Sequence, residues 1–291
     1  MPVGFAAGCL SNEVAVYGAE LAEIYELIHR SRGKDYREEA AEVERQVRAR
    51  RPDAASLLDV ACGTGAHLRC FDELFDEVAG LELSEPMARS ARTALPQVPV
   101  HVGDMRDFEL GRTYDVITCM FGSIGYLLTQ EALVDALRRF ARHLTPGGVV
   151  AVDPWWFPET YLDGHVAGST ATVGERTVSR VSHSVREGAA SRMDVHYLVA
   201  DGASGVRHFH ETHLIGLFAR ERYEAAFEAA GFRVDYVPVA PAGRGLFVGG
   251  GGGRRGVRSR PCCGAPGVGG PWRRRAPARP RRPRAPGRRG R

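Results

Sequence analysis

The chain has 291 residues, of which 44% are hydrophobic and 25% charged, the composition of a globular protein with one large core or two small ones. Its net charge of +4 does not indicate nucleic acid or a membrane surface, because residues 250–291 carry fourteen arginines and no acid or lysine, which leaves −10 on residues 1–249. There is no apolar run of bilayer length, no secretory leader, and no Cys-x-x-Cys or His-x-x-x-His metal spacing, and the six cysteines are scattered; reduced thiols, a cytoplasmic setting and no metal are expected.

Residues 1–12 are expected to be disordered. From Tyr17 to Arg51 the pattern is helical: Leu21, Ile24, Tyr25, Leu27 and Ile28 share one face, Tyr36 to Val47 repeats the spacing, and Gly33-Lys34-Asp35-Tyr36 breaks the helix between them. Strand 57–61 then runs into Ala61-Cys62-Gly63-Thr64-Gly65 and a helix over 66–74. Such a strand, glycine turn and helix present a nucleoside ligand at the C-terminal edge of a parallel sheet, with glycines letting the backbone approach it. A dinucleotide fingerprint needs glycine or alanine three residues after Gly65. Leu68 stands there, and no phosphate-binding lysine follows, which disfavours a nicotinamide oxidoreductase.

Strand 78–82 ends on Glu82, about twenty residues past the turn, where a carboxylate can accept both hydroxyls of a ribose. Helix 84–93 follows, and strand 99–102 leads to Asp104 and Met105. Either acid alone is equally a helix cap; three motifs in this order outweigh that reading. Strand 115–120, helix 130–142 and strand 148–152 continue the alternation, which means parallel strands with helices on both faces: a doubly wound α/β sheet.

The period then changes. Residues 168–218 alternate polar and apolar in twos, the mark of an antiparallel sheet with one wet face. A helix over 220–230, a strand from Arg233 to Val237 and a short strand from Gly245 to Val248 close the fold. The domain boundaries are 1–12 (disordered), 13–155 (core), 156–218 (antiparallel insertion covering the substrate), 219–249 (rest of the core) and 250–291. That last segment is Gly, Pro and Arg, unable to bury a core and so expected to be disordered. Its abrupt start and the excess of 38 arginines over one lysine fit out-of-frame translation of a GC-rich gene; an arm for nucleic acid is the alternative.

The glycine loop with Glu82 and Asp104 resembles the motifs of class I S-adenosylmethionine-dependent methyltransferases, a Rossmann-like fold. From Tyr17 to Gly249 the chain further resembles the dTDP-amino-sugar N,N-dimethyltransferases of desosamine and mycaminose biosynthesis. The markers are Gly33 to Tyr36, Leu57 to Thr64, Gly103 to Phe108, Pro154-Trp155-Trp156-Phe157-Pro158-Glu159, Arg180 to Ser184 and Gly243 to Phe247. The resemblance implies S-adenosylmethionine as the cofactor, without metal, and transfer of two methyl groups to the 3-amino group of a dTDP-3-amino-3,6-dideoxyhexose, completing a sugar of macrolide antibiotics. It also implies a homodimer formed through the inserted sheet, with no nucleic acid or membrane as partner.

By the same resemblance the cofactor set is Tyr25, Tyr36, Asp59, Ala61, Gly63, Gly65, Glu82, Leu83, Met87, Asp104, Met105 and Met120. Asp104 lies near the adenine amino group with Met105 on the ring, and Tyr25 and Tyr36 close the amino-acid end. Tyr17, Tyr126 and Asp153 are the candidates beside the reacting amine, Tyr17 as a lid and Tyr126 to orient the sugar. Ser123, Trp155, Arg180, Ser182 and Arg244 complete the substrate set, the arginines for the diphosphate and the tryptophan for thymine or sugar. Relatives carry histidine or tyrosine at 126, and a phenol is a poor base near neutrality, so no obligatory base is expected. Asp153 stands where relatives have glutamate, and Gly122 where they have serine. His183 reads as structural. The rival readings are methylation of another small amine, a nucleic-acid-binding protein using the arginine segment, and a cofactor-fold module without catalysis.

Overall fold

The computed structural model describes residues 17–239 and 244–251. The expectations for residues 1–12, and for the segment from 250 onward apart from Gly250 and Gly251, lie outside the described residues.

Three short helices open the described chain: α1 (Ala19–Ala22), α2 (Tyr25–Ser31) and α3 (Tyr36–Arg50). The expected break has a local cause. Gly33 takes a left-handed φ of 84°, and the Asp35 carboxylate caps α3 by accepting from the backbone N–H groups of Arg37 and Glu38, both at 3.0 Å. A second break, at Glu23–Ile24, was not legible, because the apolar spacing runs through it unbroken.

The core then alternates: β1 (Ser56–Val60), α4 (Ala66–Asp72), β2 (Glu77–Glu82), α5 (Glu85–Ala94), β3 (Val100–Val102), β4 (Tyr114–Cys119), a 3₁₀ turn (Ser123–Leu127), α6 (Gln130–Arg142) and β5 (Leu144–Val152). After an inserted sheet come α7 (Arg220–Ala229), β10 (Phe232–Val237) and β11 (Leu246–Gly251). The seven core strands lie in the order β10-β11-β5-β4-β1-β2-β3. β1 through β5 are parallel; β11 runs antiparallel between β5 and β10. β11 reaches Gly251, so the core runs two residues past the expected boundary at 249. Gly250 pairs with both Val149 and Arg233, and these ladder bonds carry the strand on.

β1, β4 and the inner half of β5 are buried on both faces, as a sheet covered by helices on each side requires. One apolar cluster joins Leu58, Ile117 and Val150 to α6 and α7; the other joins Leu57, Val116 and Val149 to α3, α4 and α5.

The insertion between β5 and α7 is a four-stranded antiparallel meander, β6 (His165–Val173), β7 (Arg176–Glu187), β8 (Ala190–Asp201) and β9 (Gly205–Gly216). Its inner face packs on the opening helices: Leu21, Ile24 and Ile28 meet Val178, Val195, Tyr197, Val199 and Phe209, with Met87 from α5 beneath. Burying such aliphatic side chains contributes about 1.5–3 kcal/mol each. The helices are thus clamped between core and insertion, over the C-terminal ends of the parallel strands.

Candidate active site

The turn after β1 is built by backbone geometry. Ala61, Gly63 and Gly65 have φ of 57°, 57° and 83°, and Gly65 starts α4. The left-handed Ala61 is strain held at a site, since a Cβ disfavours that region. Glu82 at the end of β2 ties the turn down: Oε2 accepts from Gly63 N and Oε1 from Ser84 N, both at 2.8 Å. Burial raises the Glu82 carboxyl, and these N–H groups work against that shift. Asp59 is buried and accepts the Thr118 hydroxyl at 2.7 Å; burial lifts its carboxyl to about 6, opposed by nearby His67 and by the Thr118 bond. Beside the turn a slot of about 110 Å³ is lined by Ala61, Leu83, Asp104, Met105 and Tyr126. Asp104 pairs with Arg106 at 2.5 Å, which holds its carboxyl below the usual range.

A larger cavity, about 860 Å³, opens between the helices, the strand ends and the insertion. Tyr17, Tyr25, Met120 and Tyr126 are among the residues that line it. Asp153, Trp155 and Arg244 form the wall from the core sheet, and Arg180 and Ser182 the wall from β7. The Tyr17 and Tyr126 hydroxyls are 2.8 Å apart, so the two expected aromatic residues meet at one point. Tyr17 sits at φ 65°, its carbonyl accepting the Ser84 hydroxyl at 2.7 Å. Arg244 donates to Asp153 at 3.2 Å, and its guanidinium lies 5.6 Å from the ring centres of both Trp155 and Trp156. Arg180 is only 5% exposed; it donates to Ser182 Oγ at 2.8 Å and has no carboxylate partner among the described residues. The Nε atoms of both arginines are buried without a partner.

Seven expected residues line neither cavity: Asp59, Gly63, Gly65 and Glu82 build the strand end and turn described above, and Tyr36, Met87 and Ser123 lie apart from them. Met87 is packed in the apolar cluster under the helices, and Ser123 sits on the 3₁₀ turn, half-buried. Tyr36 is buried against His67, with a hydroxyl that has no hydrogen-bond partner. His183 is exposed on β7, on the face opposite the buried Arg180 and Ser182, and lines neither cavity.

Sequence reasoning passed over His213, Glu211, His29 and Lys34. His213 Nδ1 lies 2.9 Å from the Tyr126 hydroxyl. Glu211 accepts the backbone N–H of Tyr17 at 3.1 Å and of Gly18 at 3.0 Å. The signal was present: Phe209, Glu211, His213 and Ile215 share the inward face of β9, where an acid and an imidazole interrupt an apolar alternation. Lys34, the single lysine, bonds Glu39 at 2.6 Å and lies 3.7 Å over the Phe121 ring. Burial works against the Glu39 carboxylate, but bonds from His67 and Lys34 outweigh it and bring its pKa down to about 2. Among the described residues no group of three or more His, Cys, Asp or Glu side chains is arranged to hold a metal.

A parallel sheet with an antiparallel strand between its last two members, a strained glycine turn after β1 and acids at the ends of the first three strands define a class I S-adenosylmethionine-dependent methyltransferase. A family model described as a methyltransferase domain matches residues 57–148. The chain is 56% identical over 234 residues to the dTDP-3-amino-3,4,6-trideoxy-alpha-D-glucopyranose N,N-dimethyltransferase of Streptomyces venezuelae, covering 80% of this chain and 99% of that one. It is 55% identical to the dTDP-3-amino-3,6-dideoxy-alpha-D-glucopyranose N,N-dimethyltransferase of Streptomyces fradiae, covering 81% of this chain and 92% of the relative. A Saccharopolyspora spinosa enzyme acting on dTDP-4-amino-2,3,4,6-tetradeoxy-D-glucose is 52% identical, with 81% and 94% covered. Among solved structures, Streptomyces venezuelae DesVI superposes with a TM-score of 0.77 at 56% identity, covering 79% of this chain and 98% of that one. The S-adenosylmethionine-bound amino pentose methyltransferase CalS10 of Micromonospora echinaspora gives 0.72 at 48% identity, with 78% and 96% covered. The chain belongs to the dTDP-amino-sugar N,N-dimethyltransferase family.

Proposed function

We propose that the protein transfers two methyl groups, one at a time, from S-adenosylmethionine to the 3-amino group of a dTDP-3-amino-3,6-dideoxyhexose, the closing step of a desosamine- or mycaminose-type sugar. The observation that carries this reading is the pair of buried arginines on the large cavity. Arg180 has no acidic partner among the described residues, and Arg244 shares one buried acid. An unpaired buried guanidinium is costly, so the site calls for an anion such as a diphosphate. Trp155 and Trp156 stand beside Arg244 as flat surfaces for a base or sugar.

The residues also fit the cofactor. Glu82 keeps acceptor capacity beyond its two backbone bonds, the slot between Leu83 and Met105 suits a flat ring, and the orphan Tyr36 hydroxyl is a donor for a carboxylate. S-adenosylmethionine supplies a methyl group on a sulfonium. The chain's part is to align the amine with that carbon at about 3 Å, to keep water out, and to favour the uncharged amine. Tyr126 lines both the small slot and the large cavity, Tyr17 meets it from the large cavity, and the two hydroxyls fix the amine there. No residue is assigned as an obligatory base: burial holds the Tyr126 hydroxyl well above its ordinary pKa.

A second copy of the chain fits the outer face of the insertion. Val166, Val181, Leu198, Val206 and Leu214 are all exposed on that one face, which supports a homodimer. No described helix is long and apolar enough to cross a membrane, and the three described cysteines are free, in keeping with a cytoplasmic enzyme.

The test is to incubate the protein with S-adenosylmethionine and a dTDP-3-amino-3,6-dideoxyhexose and follow product mass. Gain of one and then two methyl groups is the expected result. Conversion of the 4-amino isomer alone would move the reaction to the neighbouring carbon. No conversion of either sugar, with cofactor bound by calorimetry, would sink the substrate reading.

A further inference from the structure

We propose that His213 is a positioning residue for the transfer: it fixes the Tyr126 hydroxyl as a donor into the protein, so that the Tyr126 oxygen faces the cavity as an acceptor for an N–H of the substrate amine. The proposal rests on the reaction assigned above.

The geometry orders the protons. His213 is 3% exposed on β9 and lines the cavity. Its Nε2 lies 3.6 Å from Glu211 Oε2 and its Nδ1 2.9 Å from Tyr126 Oη. Glu211 cannot swing away, because the backbone N–H groups of Tyr17 and Gly18 hold both of its oxygens. A fixed carboxylate beside Nε2 places the imidazole proton there and leaves Nδ1 as the acceptor. Burial and the positive charge of Arg180 push the His213 pKa down to about 4, so the ring is neutral near pH 7 and Nδ1 keeps its lone pair. Tyr126 must then donate to His213. The groups facing the imidazole are Tyr126, Tyr17, Glu211 and Arg180, and none of them offers Nδ1 a competing carboxylate.

With its proton committed, the Tyr126 oxygen has two lone pairs. One takes the Tyr17 hydroxyl at 2.8 Å, and the other is left for the ligand. A hydroxyl held this way cannot donate to the nitrogen lone pair, which has to attack. It binds an N–H instead and turns the lone pair toward the methyl carbon. In the transfer a carbon–nitrogen bond forms from the amine lone pair while the carbon–sulfur bond breaks, its electrons staying on sulfur. The product ammonium gives its extra proton to bulk water once it leaves the site. The neutral secondary amine still has one N–H, so the same acceptor orients it for the second transfer.

The experiment compares wild type, His213→Leu, His213→Asn, Tyr126→Phe and the Tyr126→Phe/His213→Leu double variant, with cofactor affinity as the control for folding. His213→Leu is expected to lower kcat about tenfold, with KM and cofactor Kd moving less than about threefold. His213→Asn, whose amide oxygen can stand in for Nδ1, recovers most of the rate. In the Tyr126→Phe background, itself within about an order of magnitude of wild type, His213→Leu costs less than about twofold more. An equal loss in both backgrounds, or none in wild type, overturns the proposal. So that a misfolded variant cannot hide the answer, nitrogen NMR of the full chain without substrate reads the tautomer directly. A bare Nδ1 whose shift moves in Tyr126→Phe supports the proposal, and a protonated Nδ1 overturns it. Failure of wild type to methylate the dTDP-amino sugar would strike the substrate reading, while the nitrogen shifts would still decide the proton order at His213.

Discussion

Arg244 Nη2 donates to Asp153 Oδ2 at 3.2 Å, joining the residue after β5 to a residue just before β11 where both side chains are buried. Burial pushes the Asp153 carboxyl up, and the charges of Arg244 and Lys34 oppose that shift. The pair holds the guanidinium between Phe121 and the two tryptophans. Arg244→Met therefore removes an oriented charge at little change in length. We expect KM for the dTDP-sugar to rise about 10–100-fold, the worth of a lost charge-assisted bond, with kcat changed far less. Steady-state kinetics decide; an unchanged KM would take Arg244 out of substrate binding.

Glu82 has a separable role. Its carboxylate organises the Gly63 turn and the start of α5, and a neutral amide at the same place keeps only part of that. Glu82→Gln is expected to weaken S-adenosylmethionine binding by about tenfold or more, measured by calorimetry without any sugar present. Unaltered affinity would contradict the placing of the ribose.

Stability should fall in mild acid. Burial lowers the imidazole of His29 to about 3 and that of His213 to about 4. As pH drops from about 6.5 toward 4, the unfolded chain takes up protons that the folded chain refuses, at up to about 1.4 kcal/mol per pH unit per group. Asp59, raised to about 6, acts oppositely: the folded chain keeps its proton longer, so this contribution is lost as pH rises from about 4 to 6. Two groups outweigh one. Urea unfolding across this range should show the loss, and Asp59→Asn should steepen it; a flat profile in wild type would refute the balance.

Gly122 has a left-handed φ of 73°, and a Cβ there would lie 2.7 Å from Trp155 Cε3. Gly122→Ser is expected to cost about 1–3 kcal/mol in thermal unfolding and to raise KM by displacing the Trp155 ring. A serine variant with wild-type Tm and KM would show that the ring yields freely.

Most of the architecture is legible in the sequence. The parallel core follows from strands and helices alternating in length and period, and the insertion from a change of period near residue 168, three residues inside the true start of β6. Glu82 and Asp104 are legible because one ends β2 and the other follows β3, both at the sheet edge that carries the glycine turn. The break after α1 was missed because Ile24, at its hinge, keeps the helical spacing while the chain bends. Met87 and Ser123 are expected at the ligand, yet Met87 packs in an apolar layer and Ser123 lines neither cavity, a side-chain placement that spacing does not encode.

The sequence by itself determined the local parts: where the sheet strands run, which strand is followed by a glycine turn, and that an antiparallel layer interrupts the core. Those are properties of neighbours in the chain, set by side-chain period and backbone freedom. The tertiary structure decided what meets across long separations. Tyr17, Tyr126, Glu211 and His213 form one hydrogen-bonded group although 196 positions separate its ends, and Arg180 loses contact with solvent only because β7 folds over the cavity. No local pattern encodes which residues are brought together by the burial of three apolar layers. That packing turned an unremarked strand histidine into the partner of Tyr126.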